Sequence, residues 1–236
     1  MSAGKLYLIP SPLGEYDPAE VIPAPVLERV RSLKTFVVEE VRTARRYLSA
    51  AGLRGHIQEL SFHTLNEHTA PEEVEALAAL FDDGNDVGLI SEAGLPAVAD
   101  PGAQLVALCH RRGIAVVPLV GPSSLMLALM ASGLDGQHFA FRGYLPAKTE
   151  ERRAAIRQLE KDSLSRHETE IVIETPYRND ALLTDILSCC RGSTLLTIAA
   201  DLTLPDALIR TRSVAEWKKQ PLQIGKRPCV FLLLSR

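Results

Sequence analysis

The four cysteines of the chain, Cys109, Cys189, Cys190 and Cys229, include no C-x-x-C pair. That spacing excludes a zinc knuckle and a thioredoxin-type centre, and so few thiols suit a reducing compartment. Cys189 and Cys190 are adjacent in a helical pattern and read as two small apolar residues. Long apolar runs are missing too. The longest, residues 116–131, is interrupted by Gly121–Pro122–Ser123–Ser124 and is too short to span a bilayer. Met1–Ser2–Ala3–Gly4–Lys5 carries no apolar core of a signal peptide. A soluble, cytoplasmic protein is expected. Nor is there an excess of positive charge. Lys and Arg number 26 against 29 Asp and Glu, a net −3, so no whole-molecule field attracts nucleic acid and an RNA or DNA role needs a local patch. The 46% hydrophobic and 23% charged content excludes disorder, and 236 residues suit one large or two small domains.

Familiar nucleotide and hydrolase signatures are absent as well. No G-x-G-x-x-G follows the first strand, no G-x-x-x-x-G-K-[ST] occurs, and no G-x-S-x-G elbow is present. His63 and His68 flank Glu67 without forming H-E-x-x-H, so no metal centre is expected.

What is there is an alternation of β-rich runs and helical patterns. Strands are predicted at 6–9, 35–39, 59–62, 87–90 and 114–117, with helices at 24–33 and 42–51 between them. Thr69 and Glu72 predict a capping box before the stripe Val74, Leu77, Ala78, Phe81, which Gly84 closes. Asp100–Pro101–Gly102 predicts an N-cap with proline first in the helix that Gly113 ends. Such alternation implies parallel strands with helices on both faces. The helix at 125–131 is apolar all round and is expected to be buried. A second set follows, with strands at 138–141, 171–174, 195–199, 206–212 and 230–234 and helices at 149–161, 179–190 and near 216–219. No helix separates 195–199 from 206–212, so a hairpin is expected there. The reading is an α/β protein with a parallel N-terminal domain, residues 1–119, and a mixed-sheet C-terminal domain, residues 120–236.

Ligands of open parallel sheets bind beyond the carboxyl ends of the strands. The loops there are Pro10–Ser11–Pro12–Leu13–Gly14–Glu15, then Glu39–Glu40–Val41–Arg42, then His63 to His68, then Ser91–Glu92–Ala93–Gly94–Leu95–Pro96, then Gly121–Pro122–Ser123–Ser124. Glycine and proline in the first, fourth and fifth allow backbone to approach a ligand, and all but the fifth carry a carboxylate. Arg42, Arg45 and Arg46 share one helical face, either a solvated surface or a contact for an anionic substrate. Lys148, Arg152, Arg153 and Arg157 form a second basic cluster, diluted by Glu150, Glu151 and Glu160.

These loops resemble the tetrapyrrole (corrin/porphyrin) methylase superfamily of S-adenosylmethionine-dependent methyltransferases, from about Lys5 to Leu234. The closest likeness is to the ribosomal small-subunit RNA cytidine 2′-O-methyltransferase group. Residues 91–102, Ser-Glu-Ala-Gly-Leu-Pro-Ala-Val-Ala-Asp-Pro-Gly, look like S-D-A-G-T-P-x-x-S-D-P-G. Gly121–Pro122–Ser123–Ser124 with residues 131–134 is similar to G-P-S-A…A-S-G-L, and residues 141–146 to F-x-G-F-L-P. Glu174–Thr175–Pro176–Tyr177–Arg178 looks like E-S-P-H-R, Glu39 to Arg42 like E-D-T-R, and His63 with Asn66–Glu67 like H-x-x-N-E.

The resemblance implies two α/β domains with the cofactor in the cleft between them and a homodimeric assembly. It implies S-adenosylmethionine held by Leu13 and Gly14, by Ser91, Glu92, Ala93, Gly94, Leu95 and Pro96, by Ser123 and Ser124, and by Glu174 and Thr175. If the acceptor is a hydroxyl, Glu39, His63 or Glu67 is the candidate general base, and Arg42 holds an anionic group of the acceptor. Val41, Thr43 and Ala44 replace T, H and T of the RNA group's E-D-T-R-H-T-R, and Ala200 and Leu204 replace basic residues of its A-R-E-L-T-K. These departures lie where an RNA would be held. A tetrapyrrole or other small-molecule acceptor, a module that binds the cofactor without catalysis, and an α/β oxidoreductase or nucleotide hydrolase are the alternatives. The G-x-G-x-G-D first loop of the tetrapyrrole enzymes is itself absent; Pro12–Leu13–Gly14–Glu15 stands there.

Overall fold

The computed structural model describes residues 4–236, so most of the stretch read above for a signal peptide, residues 1–3, lies outside the described residues. The chain divides into two compact units, one running to Ser123 and one from Ser124 to Arg236. Among the described residues no helix is long and apolar enough to cross a membrane.

The first unit holds β1 (Lys5–Ile9), α1 (Ala24–Ser32), β2 (Thr35–Val38), α2 (Val41–Leu48), β3 (Ser61–Thr64), α3 (Pro71–Ala76), β4 (Val87–Ile90), α4 (Ala103–Arg112) and β5 (Ala115–Pro118). Its sheet order is β3-β2-β4-β1-β5 and every pairing is parallel. The alternation of strand side chains sorts the core into two layers. Tyr7, Ile9, Phe36 and Val38 pack with Val26, Leu27 and Val30 of α1 and Tyr47 and Leu48 of α2. Leu6, Val37 and Leu89 point the other way, onto Val74 of α3 and Leu105 and Leu108 of α4. Each fully buried side chain of this kind contributes roughly 1.5–3 kcal/mol.

Several local expectations shift. The third strand begins at Ser61, two residues late, because a tight turn occupies Ile57–Glu59; His63 thus lies within β3, opposite Val37, and not beyond it. The capping box moves by one. Pro71 fixes the first turn of α3, the Glu73 carboxylate accepts from the Ala70 N–H at 2.8 Å, and Thr69 Oγ1 instead accepts from the Asn66 N–H. Asp100 does not cap α4; Gly102 holds that position with φ 130°, which frees the Asp100 carboxyl. Gly113 closes α4 in the left-handed conformation, as expected. Helix α2 gives way after Leu48 to a wider turn through Leu53.

The second unit holds α5 (Ser124–Ser132), β6 (Phe139–Tyr144), α6 (Thr149–Arg166), β7 (Thr169–Glu174), α7 (Asn179–Cys189), β8 (Leu195–Ala200), β9 (Leu208–Ser213), α8 (Val214–Lys219) and β10 (Cys229–Leu234). Its sheet order is β6-β7-β10-β8-β9. β6 and β7 are parallel, the other pairs antiparallel, and β8–β9 is the expected hairpin. Ile156, Leu159, Leu182, Ile186 and Trp217 of the helices cover Val172, Ile198 and Phe231. The buried indole N–H donates to the Leu196 carbonyl at 2.9 Å, satisfying the polar end of that ring. Helix α5 is not buried all round. Leu125, Ala128, Leu129 and Ser132 form its covered stripe, while Met126 and Met130 are 42% and 79% exposed.

Candidate active site

Beyond the carboxyl ends of β1 and β4 the two loops are stitched together. The Ser11 N–H donates to the Gly94 carbonyl at 2.8 Å and the Gly94 N–H donates back at 3.1 Å, a lone antiparallel bridge beside an all-parallel sheet. The Ser11 hydroxyl adds a bond to the Ser91 carbonyl at 3.0 Å. Gly94 sits at φ +73°, where a side chain is strained, and a Cβ there would also lie 3.3 Å from Leu13. A Cβ on Gly121 would meet the Pro10 ring at 2.2 Å, so only glycine lets the fifth loop pass the first. Tyr47, buried on α2, donates from its hydroxyl to the Pro10 carbonyl at 2.9 Å.

These ties shape a pocket of about 360 Å³ whose walls include Leu13, Gly14, Tyr16, Arg46, Tyr47, Glu92 and Ala93. That volume falls in the ~300–1,000 Å³ range of small-molecule sites. A narrow crevice adjoins it, sharing Ser11, Thr43, Tyr47 and Glu92 as walls, and Glu39 and Ser91 line its other side.

Glu39 directly follows β2, with one carboxylate oxygen, Oε2, buried and unpartnered. Burial raises its pKa first, and Asp100 and Glu92 raise it further; the Glu92 backbone N–H opposes them. Asp100 is also raised, by burial and then by Glu92. The Ser91 hydroxyl, near enough to Asp100 to oppose that rise, completes no hydrogen bond of normal geometry. Among the described residues only five buried side-chain atoms lack partners, and three belong to Glu39, Ser91 and Glu174, residues nominated from sequence. Unsatisfied buried polar atoms cost about 1–3 kcal/mol each, so the two that line one crevice, on Glu39 and Ser91, favour a polar ligand there. The apolar walls near Leu13 and Ala93 and the unpaired carboxylates suit a molecule with a flat apolar part and a positive centre, which S-adenosylmethionine has.

The other nominated residues fall elsewhere. His63 opens with Asn66, His68 and Thr69 onto a separate polar pocket of about 490 Å³ that shares no wall with the crevice of Glu39. Its ring meets the Ser61 hydroxyl at 3.1 Å. Glu67 is exposed beside His68, close enough to Glu39 to raise its pKa slightly. The three arginines of α2 take separate tasks. Arg45 lies over the Phe62 ring at 5.2 Å, Arg46 pairs with Glu15 at 2.8 Å, and Arg42 is exposed. Leu95 and Pro96 continue the fourth loop, and Ser123 and Ser124 straddle the junction of the units. In the second unit Glu174 ends β7 with Oε1 bonded by the Arg178 guanidinium and the Thr175 N–H. Among the described residues no three His, Cys, Asp or Glu side chains are grouped to hold a metal ion. Sequence reasoning named Ser11 in the first strand-end loop and Asp100 in the matched motif of residues 91–102 without giving either a role in the site, and it missed Tyr47, for which no local signal exists.

Residues 6–217 match the model of the family Tetrapyrrole (Corrin/Porphyrin) Methylases. The chain is similar to "Ribosomal RNA small subunit methyltransferase I" of Escherichia coli O157:H7, 32% identical over 235 residues, 98% of this chain and 78% of that one. The protein of the same name from Pseudomonas aeruginosa is 31% identical over 99% of this chain and 79% of that one. Among solved structures, uroporphyrin-III C-methyl transferase from Thermus thermophilus complexed with S-adenyl homocysteine superposes with TM-score 0.58 at 17% identity, covering 98% of this chain and 97% of that chain. That last likeness speaks to the fold.

Proposed function

Because the chain belongs to the tetrapyrrole (corrin/porphyrin) methylases, as S-adenosylmethionine-dependent methyltransferases, we propose that it methylates a ribose 2′-hydroxyl of small-subunit ribosomal RNA. The observation that carries the chemistry is the Glu39 carboxylate, one oxygen buried without a partner, in a crevice that shares four walls with the 360 Å³ pocket. The relatives' names, over nearly the whole chain, support the choice of RNA.

On this reading Leu13, Gly14 and Ser91 to Pro96 hold the cofactor, and Ser123, Ser124, Glu174 and Thr175 are assigned to it by their motifs. When bound, S-adenosylmethionine supplies an already activated methyl group, so the protein's task is placement and one proton. Glu39 would take the proton of the acceptor hydroxyl as the methyl's new bond to oxygen replaces its bond to sulfur, leaving S-adenosylhomocysteine. Its raised pKa makes it a stronger base than an ordinary carboxylate. His63, on its separate pocket, and the exposed Glu67 are less well placed for that proton. Exposed Arg42, two residues past the crevice-lining Glu40, is placed to meet a phosphate of the acceptor. The enzyme is further proposed to act as a homodimer in the cytoplasm.

The test is mass spectrometry of small-subunit RNA nucleosides from cells with and without the gene, joined to calorimetry with S-adenosylhomocysteine. The proposal expects one 2′-O-methyl nucleoside to vanish with the gene and the purified protein to bind S-adenosylhomocysteine. Binding with no change in RNA would move the acceptor to a tetrapyrrole or another small molecule.

A further inference from the structure

The two units differ in charge. Up to Ser123 there are 10 Lys and Arg against 16 Asp and Glu, a net −6, whereas from Ser124 there are 16 against 13, a net +3. A polyanion is therefore attracted to the second unit and repelled by the first. Within the second unit one exposed feature stands out. Tyr177, in the tight turn after Thr175, is 79% exposed, and the Lys226 ammonium lies 5.0 Å from its ring centroid.

Exposure of so large a ring in a loop would ordinarily mean mobility, but here both supporting segments are pinned. Asn179, fully buried, donates from Nδ2 to the carbonyls of Gly225 at 3.0 Å and Arg227 at 2.7 Å, on either side of Lys226. The Asp180 carboxylate accepts from the backbone N–H of Ile224 at 2.7 Å and of Gly225 at 3.2 Å. Arg178 is held by Glu174 at 2.6 Å, and Arg227 is held by Asp201. Four side chains fix the two segments, and what they leave projecting is one aromatic ring and one cation.

We propose that Tyr177 and Lys226 form a preorganised platform on which a base of single-stranded RNA stacks while Lys226 meets the adjoining phosphate. This rests on the RNA reading above and adds a contact to it. Every base offers a π-face, so an exposed ring recognises single strands without regard to sequence, and a neighbouring cation supplies the salt-dependent part. The ring lies two residues past Thr175, which puts the proposed RNA contact close in sequence to residues assigned to the cofactor.

The experiment measures binding of a short fluorescein-labelled single-stranded RNA, together with KM and kcat for methylation of small ribosomal subunits lacking the modification. Tyr177→Ala and Tyr177→Leu are expected to weaken RNA binding and raise KM roughly tenfold, with kcat and S-adenosylhomocysteine affinity unchanged. Tyr177→Phe should behave as wild type, since stacking needs the ring and not the hydroxyl. Lys226→Ala should lower the slope of log affinity against log salt by about one. Wild-type behaviour of Tyr177→Ala, or equal losses in Tyr177→Phe and Tyr177→Ala, would overturn the platform. So would a Tyr177→Ala protein that falls from dimer to monomer in sedimentation, because the ring would then be a subunit contact. Wild-type protein that labels no ribosomal RNA would sink the substrate reading itself, whereas labelling unaffected by any of these variants would sink only the platform.

Discussion

Asp185 of the second unit and Glu39 of the first, two carboxylates drawn out of solvent, are treated in opposite ways. In the second unit Asp185 is almost fully buried, with Arg152 and Arg153 each at 2.7 Å; Glu170 takes Arg142 at 2.6 Å, yet burial still raises its carboxyl. Burial pushes the Asp185 carboxyl up, but the hydrogen bonds from Arg153 and Arg152 outweigh it and hold the group below its ordinary range. In the first unit Glu39 and Asp100 are drawn inward beside Glu92 with no ion pair of their own, and both are raised. A paired carboxylate of this kind helps to specify packing, whereas one held near its like without an ion pair is costly to keep and is a candidate for chemistry.

The sharpest way to break that comparison is to neutralise one member of each kind. Glu39→Gln should lower kcat by ~10²–10⁴-fold while S-adenosylhomocysteine binding, read by calorimetry, stays near wild type. Its stability should move the other way. The native pKa of Glu39 lies above the unfolded one, so its charge opposes folding as pH rises through the native value. Glu39→Gln should therefore raise the melting temperature at neutral pH, and the gain should disappear below the ordinary carboxylate pKa, where Glu39 is protonated already. A gain that grows on acidification would contradict the assignment.

Asp185→Ala should cost ~3–5 kcal/mol in urea unfolding because it strands the buried Arg152, yet turnover per folded molecule should be kept. Smaller effects come from the fourth loop, where Ala97 and Ala99 adopt φ of +64° and +62°. Glycine at either position should stabilise by roughly 0.5–1 kcal/mol, relief of left-handed strain exceeding the added chain entropy. If the loop must be stiff for activity, kcat/KM falls in the same variants. Least of all, Arg46→Ala removes an exposed ion pair with Glu15 and should change stability by under about 1 kcal/mol.

The strand-helix alternation was legible because β1, β2 and β4 are apolar runs bounded by proline, glycine and charge. The third strand was misplaced by two residues because it lies at the sheet edge, half exposed, and carries little hydrophobic signal. At α3 and α4 the same capping rules gave the wrong frame. Pro71 sets one helix start and Gly102 the other, and a side chain with capping chemistry yields to backbone constraint. Strand-end loops announced the site, since such ends carry ligands whatever the family. What could not be read was its closure. Ser11 with Gly94, Tyr47 with Pro10, and Asp100 beside Glu39 join residues 37 to 83 positions apart, and no local pattern records them.

The small ladder joining Ser11 and Gly94 makes two distant turns into one mechanical piece. Pressure on either turn is felt at both, so the amide protons of these two residues should trade with deuterium at a shared rate that slows when the neighbouring hollow fills. That pair serves as a built-in occupancy gauge, readable by NMR before any product has been identified.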